Sequence, residues 1–305
     1  MSKLSAPFQH LKAEHNVLVL GAAVVDVIIS LNKLPLTGED VMAEHRETLV
    51  GGCAYNVSNI LKQLHIKHDL FVPIGQGTYA QTVKRQLEMD GTQILLEDKR
   101  CDNGWNLSIV EQDGERTFIT IPGIETRWSS EWFKQLDLES FDYIYLSGYE
   151  IEGPSGQVIL DALERRRPNC KLVFDPSPRV SYIDRDILTR VLTMGTLLHL
   201  NRAELSDLTG IADLYEAAAH AYAITKEPIV VTLGGDGTLI YSGEGHEIIP
   251  SAKVTVVDTI GAGDSHTGAF IAGLASNLSL REACLLGNEI AGLVVQQQGG
   301  KLELE

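Results

Sequence analysis

The heptapeptide Asp258-Thr259-Ile260-Gly261-Ala262-Gly263-Asp264 carries the sharpest chemical signal in the chain. Glycines two positions apart let the backbone turn so that successive N–H groups point into one space. The helix-like stretch Ser265–Ala275 that follows adds the positive end of its dipole. The pattern predicts an anion hole built from main chain alone. Asp264 stands at its mouth, where a carboxylate can orient a hydroxyl nucleophile and take its proton as a phosphoryl group transfers. A glycine turn with an Asp N-cap would account for Gly-Ala-Gly-Asp by itself. The whole heptapeptide, with a strand before it and a helix after it, reads against that simpler account.

Two further features join it. Gly51-Gly52 opens a helical stretch containing Cys53, Ala54, Tyr55 and Asn56, so a ligand can approach the backbone closely, and the Asn56 amide both donates and accepts. Asp26 interrupts an otherwise apolar strand. A buried carboxylate is costly unless paired, so Asp26 either caps a turn or binds hydroxyls.

These residues need a scaffold, and the chain supplies an alternation. Val17–Val25 with Val27–Ile29 reads as one buried strand. Ala54–Leu64 places Val57, Ile60, Leu61 and Leu64 on one helical face. Leu70–Ile74, Gln93–Leu96, Tyr143–Leu146, Lys171–Phe174, Leu197–Leu200 and Ile229–Leu233 read as strands. Between them Tyr79–Met89, Gly156–Arg166, Asp184–Leu192, Arg202–Leu208 and Leu214–Ile224 read as helices. Helices between short β-branched runs imply crossover units, hence an α/β fold with a mainly parallel central sheet and helices on both faces. Two stretches break the rhythm. The polar segment 33–50 holds weak strands, and 103–122 contains Leu107–Val110, an Asp113-Gly114 turn and Thr117–Ile121, a β-hairpin. Both are assigned to a small β-sheet lid, inserted into an α/β domain made of 1–32, 51–102 and 123–305.

Composition narrows the partners. A length of 305 residues allows a core that needs no staple. The formal net charge of −16 disfavours nucleic acid and membrane surfaces, so a small-molecule substrate is expected. Cys53, Cys101, Cys170 and Cys284 form no CxxC pair, which suggests neither a zinc site nor a disulfide framework. That, with no signal-peptide pattern in 1–16, predicts a cytoplasmic protein. Apolar Leu107, Ile109, Phe118 and Ile119 on a small sheet with open edges predict a homodimer through the lid.

From about Val17 to Gly300 the chain resembles the ribokinase-like (PfkB) carbohydrate kinases. The resemblance rests on the strand with Asp26, the Gly-Gly helix with Asn56 and the Asp258–Asp264 signature. Asn201-Arg202-Ala203-Glu204 and Val231-Thr232-Leu233-Gly234-Gly235-Asp236-Gly237 stand between them. It implies transfer of the γ-phosphoryl group of ATP to a sugar or nucleoside hydroxyl, with Mg2+ and K+ as expected ions. In that scheme Asp264 is the base, and Gly261, Ala262 and Gly263 supply the anion hole. Asp26, Gly51, Gly52 and Asn56 bind substrate hydroxyls. Asn201 and Glu204 serve the phosphates and a magnesium-bound water network. Thr232, Gly234, Gly235 and Gly237 line the nucleotide groove, and Asn288 approaches adenine. Asp258 and the Ile260 carbonyl begin a monovalent-cation site.

Some residues depart from that pattern. His266 follows the signature where an apolar or aromatic residue is usual, and reads as a packing histidine. Val295–Gly300 is rich in Gln, Arg179 reads as a solvated side chain after a Pro turn, and Glu115-Arg116 as a surface pair. Trp105, Asn106 and Phe118 on the hairpin leave open a nucleoside acceptor, stacked by its base, or a plain apolar seam. A binding protein on the same fold, without the chemistry, is the alternative that an intact Asp264 argues against.

Overall fold

A computed structural model describes residues 4–111, 116–299, 302 and 304. Its strands are β1 Val17–Leu20, β2 Val24–Ser30, β3 Glu44–Gly51, β4 His68–Phe71, β5 Trp105–Val110, β6 Arg116–Ile121, β7 Tyr143–Ser147, β8 Lys171–Asp175, β9 Thr196–Asn201, β10 Ile229–Thr232, β11 Thr238–Ser242 and β12 Gly245–Ile249. The helices are α1 Cys53–Gln63, α2 Thr78–Met89, α3 Ser155–Leu163, α4 Arg185–Leu192, α5 Arg202–Thr209, α6 Leu214–Thr225, α7 Ala262–Ala275 and α8 Leu280–Val294.

The main sheet runs β12-β11-β10-β9-β8-β7-β1-β4 and is parallel from β10 to β4. Successive strand residues face opposite sides, and the core divides accordingly. Leu18, Leu20, Leu146 and Phe174 pack under α3 to α6. Val17, Val19, Tyr145 and Val173 pack under α1, α2, α7 and α8. The strand order reverses about β1, and ligands of open α/β sheets bind beyond the carboxyl ends of strands at such a point.

The small sheet runs β3-β2-β5-β6. The predicted hairpin is present, since β5 pairs antiparallel with β6 from Trp105↔Ile121 to Val110↔Arg116. Its Asp113-Gly114 tip and Glu115 lie outside the described residues.

The structure corrects three expectations. The apolar run after Val17 is two strands, because the chain leaves the main sheet at Gly21 and pairs again at Val24, now against Gly51 of the small sheet. The small layer therefore takes residues 24–30, which had been placed in the α/β part. Its second segment is β3 with a turn-rich approach. A period-two pattern cannot say which sheet a strand joins. Gln93–Leu96 is not a strand. Among the described residues the only pairing there is an isolated parallel bridge, Ile74↔Glu97, closed by the Ile74 amide on the Leu96 carbonyl at 3.0 Å and the Asp98 amide on the Ile74 carbonyl at 2.8 Å, while Leu95 and Leu96 pack inward. Finally β11, β12 and α8 were not foreseen, although Ser279 and Glu282 form the capping box that starts α8. Of the apolar residues expected at a lid interface, Ile109 is buried and Leu107 half-buried, whereas Phe118 and Ile119 are exposed. Among the described residues no helix is long and apolar enough to cross a membrane.

Candidate active site

Local geometry places Asp264. Gly261 caps α7 at φ 71°, a left-handed conformation that favours glycine, and the chain turns there so that Asp264 falls in the first helical turn. The Ser265 amide returns to the Gly261 carbonyl at 2.9 Å. The Ala262 amide donates to the Thr259 carbonyl at 3.2 Å, so Ala262, expected in the anion hole, spends its N–H inside the turn. The amides of Gly261, Gly263 and Asp264 have no acceptor among the described residues. They are the orphan donors of a helix start, and the space above Gly263 is open.

Two clefts meet at this point. The larger, about 610 Å3, is lined by Asp26, Gly51, Asn56, Ile260, Gly261 and Asp264 beneath the small sheet. The smaller, about 190 Å3, is lined by Cys53, Asp175, Asn201, Glu204, Thr232, Gly263 and Asp264. Tyr149, Gly261 and Asp264 belong to both. Asp264 is thus shared between a polyol-sized chamber and a narrow carboxylate-rich one.

Asp264 accepts from Asn56 Nδ2 at 2.7 Å and from the Cys53 thiol. Burial pushes its carboxyl above the usual range, and those two donors pull it back. Burial and the Asp264 charge hold the Cys53 thiol far above its ordinary range, so it stays protonated and keeps donating. Replacing Cys53 by Ala removes one donor to the ionised form, so the carboxyl rises further. The acid limb of the kcat/KM profile then moves to higher pH, with about a two- to tenfold loss at neutral pH from a single hydrogen bond. A pH–rate profile of Cys53→Ala superimposable on wild type would remove Cys53 from this role.

Asp26 sits on β2 and accepts from Asn106 Nδ2 of the neighbouring β5 at 2.8 Å. Burial raises its carboxyl and Asn106 lowers it. Gly51 lies directly against it: a Cβ there would stand 2.1 Å from Asp26 Oδ2. Gly52 has φ 103°, and its Cβ would meet the Ala22 carbonyl oxygen at 2.8 Å. Gly52 is therefore needed where α1 leaves the small sheet, while a side chain at Gly51 would displace the Asp26 carboxylate.

In the smaller cleft Asn201 and Glu204 form a reciprocal capping box on α5, with Asn201 N–H to Glu204 Oε2 at 2.8 Å and Glu204 N–H to Asn201 Oδ1 at 2.9 Å. Burial, then the charge of Asp264, pushes the Glu204 carboxyl up. Asp175 is raised well above its ordinary range by burial, then by Glu204 and Asp264. Three carboxylates that disfavour one another's ionisation suit a hydrated cation. Among the described residues no group of three or more His, Cys, Asp or Glu is arranged to hold a metal directly. Asp258 spends its oxygens on the Ile260 amide at 3.1 Å and the Gly299 amide at 3.0 Å, clasping the signature loop to the C-terminal loop.

Other expected residues lie elsewhere. Gly234 and Gly235 are exposed after β10, and Gly237 is buried against the Ile249 carbonyl; none of the three lines either cleft. Asn288 does not reach them either. Its Nδ2 donates to the Ile249 carbonyl at 3.0 Å and its Oδ1 accepts from Thr238 Oγ1 at 2.7 Å. That fixes the Thr238 proton, so Thr238 Oγ1 accepts from His266 Nε2 at 2.9 Å, and His266 Nδ1 then accepts from His199 Nε2 at 2.8 Å. His266 is the packing histidine its position suggested, and burial holds it down to about 4. Arg179 pairs with Glu152 at 2.6 Å and lies over Tyr182 and Tyr149, so it is held, not free in solvent. Trp105 stacks on Tyr79 with centroids 5.2 Å apart, turned away from the larger cleft, while Phe118 lines it.

The model of the pfkB family carbohydrate kinases matches residues 14–305. This chain belongs to that family. The pfkB kinases are ATP-dependent phosphotransferases, and this one is a sugar kinase of the pfkB family. It is 35% identical over 313 residues to the uncharacterized sugar kinase YegV of Escherichia coli (strain K12), covering 98% of this chain and 94% of that relative. The fold matches ribokinase from Thermotoga maritima, with TM-score 0.82 and 22% identity over 95% of both chains. It also matches adenosine kinase from Sinorhizobium meliloti, with TM-score 0.81 and 21% identity over 95% and 96%. Among the cleft residues of this pfkB kinase that sequence reasoning passed over are Cys53, Tyr149, Asp175 and Ser108. Cys53 stood beside Gly51-Gly52, and Asp175 ended a strand before a Pro turn; Tyr149 carried no local signal.

Proposed function

We propose that the kinase phosphorylates a hydroxyl of a small, neutral sugar held in the larger cleft, with Asp264 as base and ATP phosphates in the smaller cleft. The observation that carries this reading is the position of Asp264 at the junction of the two clefts, next to unpaired amides. Asp26, Asn56 and the Gly51-Gly52 backbone bind the acceptor's hydroxyls. Asp264 aligns one of them and takes its proton. The Gly261, Gly263 and Asp264 amides hold the migrating phosphoryl group, which the acidic side chains around them would otherwise repel.

Thr232 and Asn201 flank the nucleotide. Glu204 and Asp175 would hold a hydrated Mg2+, which would offset charge at the phosphates. Neutrality of the acceptor follows from the lining: it includes Asp26, Asp90 and Asp264 but only one cation, exposed Lys62, which bonds to the Asp90 carbonyl. The chemistry favours a sugar over a nucleoside because Trp105, the largest aromatic of the hairpin, is already stacked on Tyr79.

A coupled ADP-release assay across D-ribose, D-fructose and adenosine tests the proposal. Turnover confined to a sugar and abolished by chelating Mg2+ supports it. Preference for adenosine refutes the sugar reading, and no turnover with any of them excludes all three as acceptors. Pairing of two copies through the small sheet belongs to the same proposal and rests on exposed Ile119 and Ile121. A dimer mass in solution is expected, and a monomer at working concentration refutes it.

A further inference from the structure

One hydroxyl in the roof of the larger cleft has no partner. Ser108, on β5, is 3% exposed, and its Oγ makes no hydrogen bond. It pairs across the small sheet with Ile28 on one side and Phe118 on the other, and all three line the cleft with Asp26. Trp128 Nε1, Tyr145 Oη and Ser276 Oγ are also unpartnered, but those residues line neither cleft. A buried orphan hydroxyl costs stability, and such exceptions in a folded protein call for an explanation. An Ala in its place would serve the apolar roof of Ile28 and Phe118 better.

We infer that Ser108 is a specificity-determining residue, whose hydroxyl bonds a hydroxyl of the acceptor on the side facing the small sheet. This rests on the larger cleft being the acceptor site. Asn106, which holds Asp26, precedes Ser108 by two residues on the same strand face, a spacing of about 7 Å. The acceptor therefore presents two polar groups to the small sheet about that far apart: one near Asp26, the other at Ser108 between two apolar side chains. Opposite edges of a sugar ring, or a ring and its exocyclic arm, meet that spacing. A deoxy analogue lacking the second group leaves Ser108 unpaired and is discriminated against.

Ser108→Ala and Ser108→Thr test the inference, with D-ribose, D-fructose and adenosine as acceptors. Ser108→Ala is expected to melt at the same temperature as wild type or higher. Its kcat/KM for the preferred acceptor falls by about tenfold to a hundredfold, carried by KM. Ser108→Thr keeps the hydroxyl and recovers most of that loss. Unchanged kcat/KM in Ser108→Ala overturns the inference, and so does a lower melting temperature, which would make the hydroxyl structural. Thermal shifts with each acceptor and a non-hydrolysable ATP analogue separate the two readings. If wild type binds an acceptor without turnover, the kinase reading fails while Ser108→Ala must still weaken the shift. If none of the three acceptors gives a shift or turnover, the acceptor cleft itself is refuted, and Ser108 with it.

Discussion

Asp264→Asn is expected to lower kcat by about 10²- to 10⁴-fold, the range for loss of a positioned general base, while the substrates still bind. The substitution is nearly isosteric, and an Asn oxygen can still accept from Asn56 Nδ2, which now approaches at 2.7 Å. What disappears is the proton acceptor. The loss of one negative charge beside Glu204 and Asp175 eases their mutual repulsion, so ATP binding is unchanged or tighter. Steady-state kinetics alongside isothermal titration with a non-hydrolysable ATP analogue separate the two effects. A kcat within tenfold of wild type would mean that the carboxylate is not the base.

Gly52→Ala should damage both folding and catalysis. Gly52 has φ 103° and ψ 141°, outside the regions open to residues with a Cβ, and the added atom meets the Ala22 carbonyl oxygen at 2.8 Å. Such a backbone outlier costs about 1–3 kcal/mol, and an overpacked contact with main chain adds about as much again. Relief comes by shifting the start of α1, which carries Cys53 and Asn56, both hydrogen-bonded to Asp264. The expected outcome is a lower denaturation midpoint together with at least a tenfold fall in kcat/KM, since small misplacements in a reacting site are expensive. Wild-type values in both measurements would show that the turn relaxes without disturbing α1.

Much of the site could be read locally. The signature loop needs only its own backbone: Gly261 adopts the left-handed turn, Ser265 closes the first helical bond, and Asp264 lands in the first turn. The Asn201–Glu204 capping box is likewise a matter of four consecutive residues. Other parts were not legible because they are made by partners far apart in the chain. Asp26 is satisfied by Asn106, eighty residues later, once β2 and β5 lie side by side. Asn288 has the right type for a nucleotide contact, yet Thr238 and the Ile249 carbonyl take both ends of its amide.

The sequence by itself determined the alternation of strand and helix, the anion-binding turn with its carboxylate, and the glycines at the start of α1. Each follows from backbone preference and periodicity over a few residues. Only the tertiary structure decided that β2 belongs to the small sheet, that Asn288 is taken up by Thr238 and Ile249, and that Asp264 stands between two clefts. Those outcomes depend on which surfaces come together when the sheets pack and on which polar groups find partners there, and a one-dimensional pattern does not contain either.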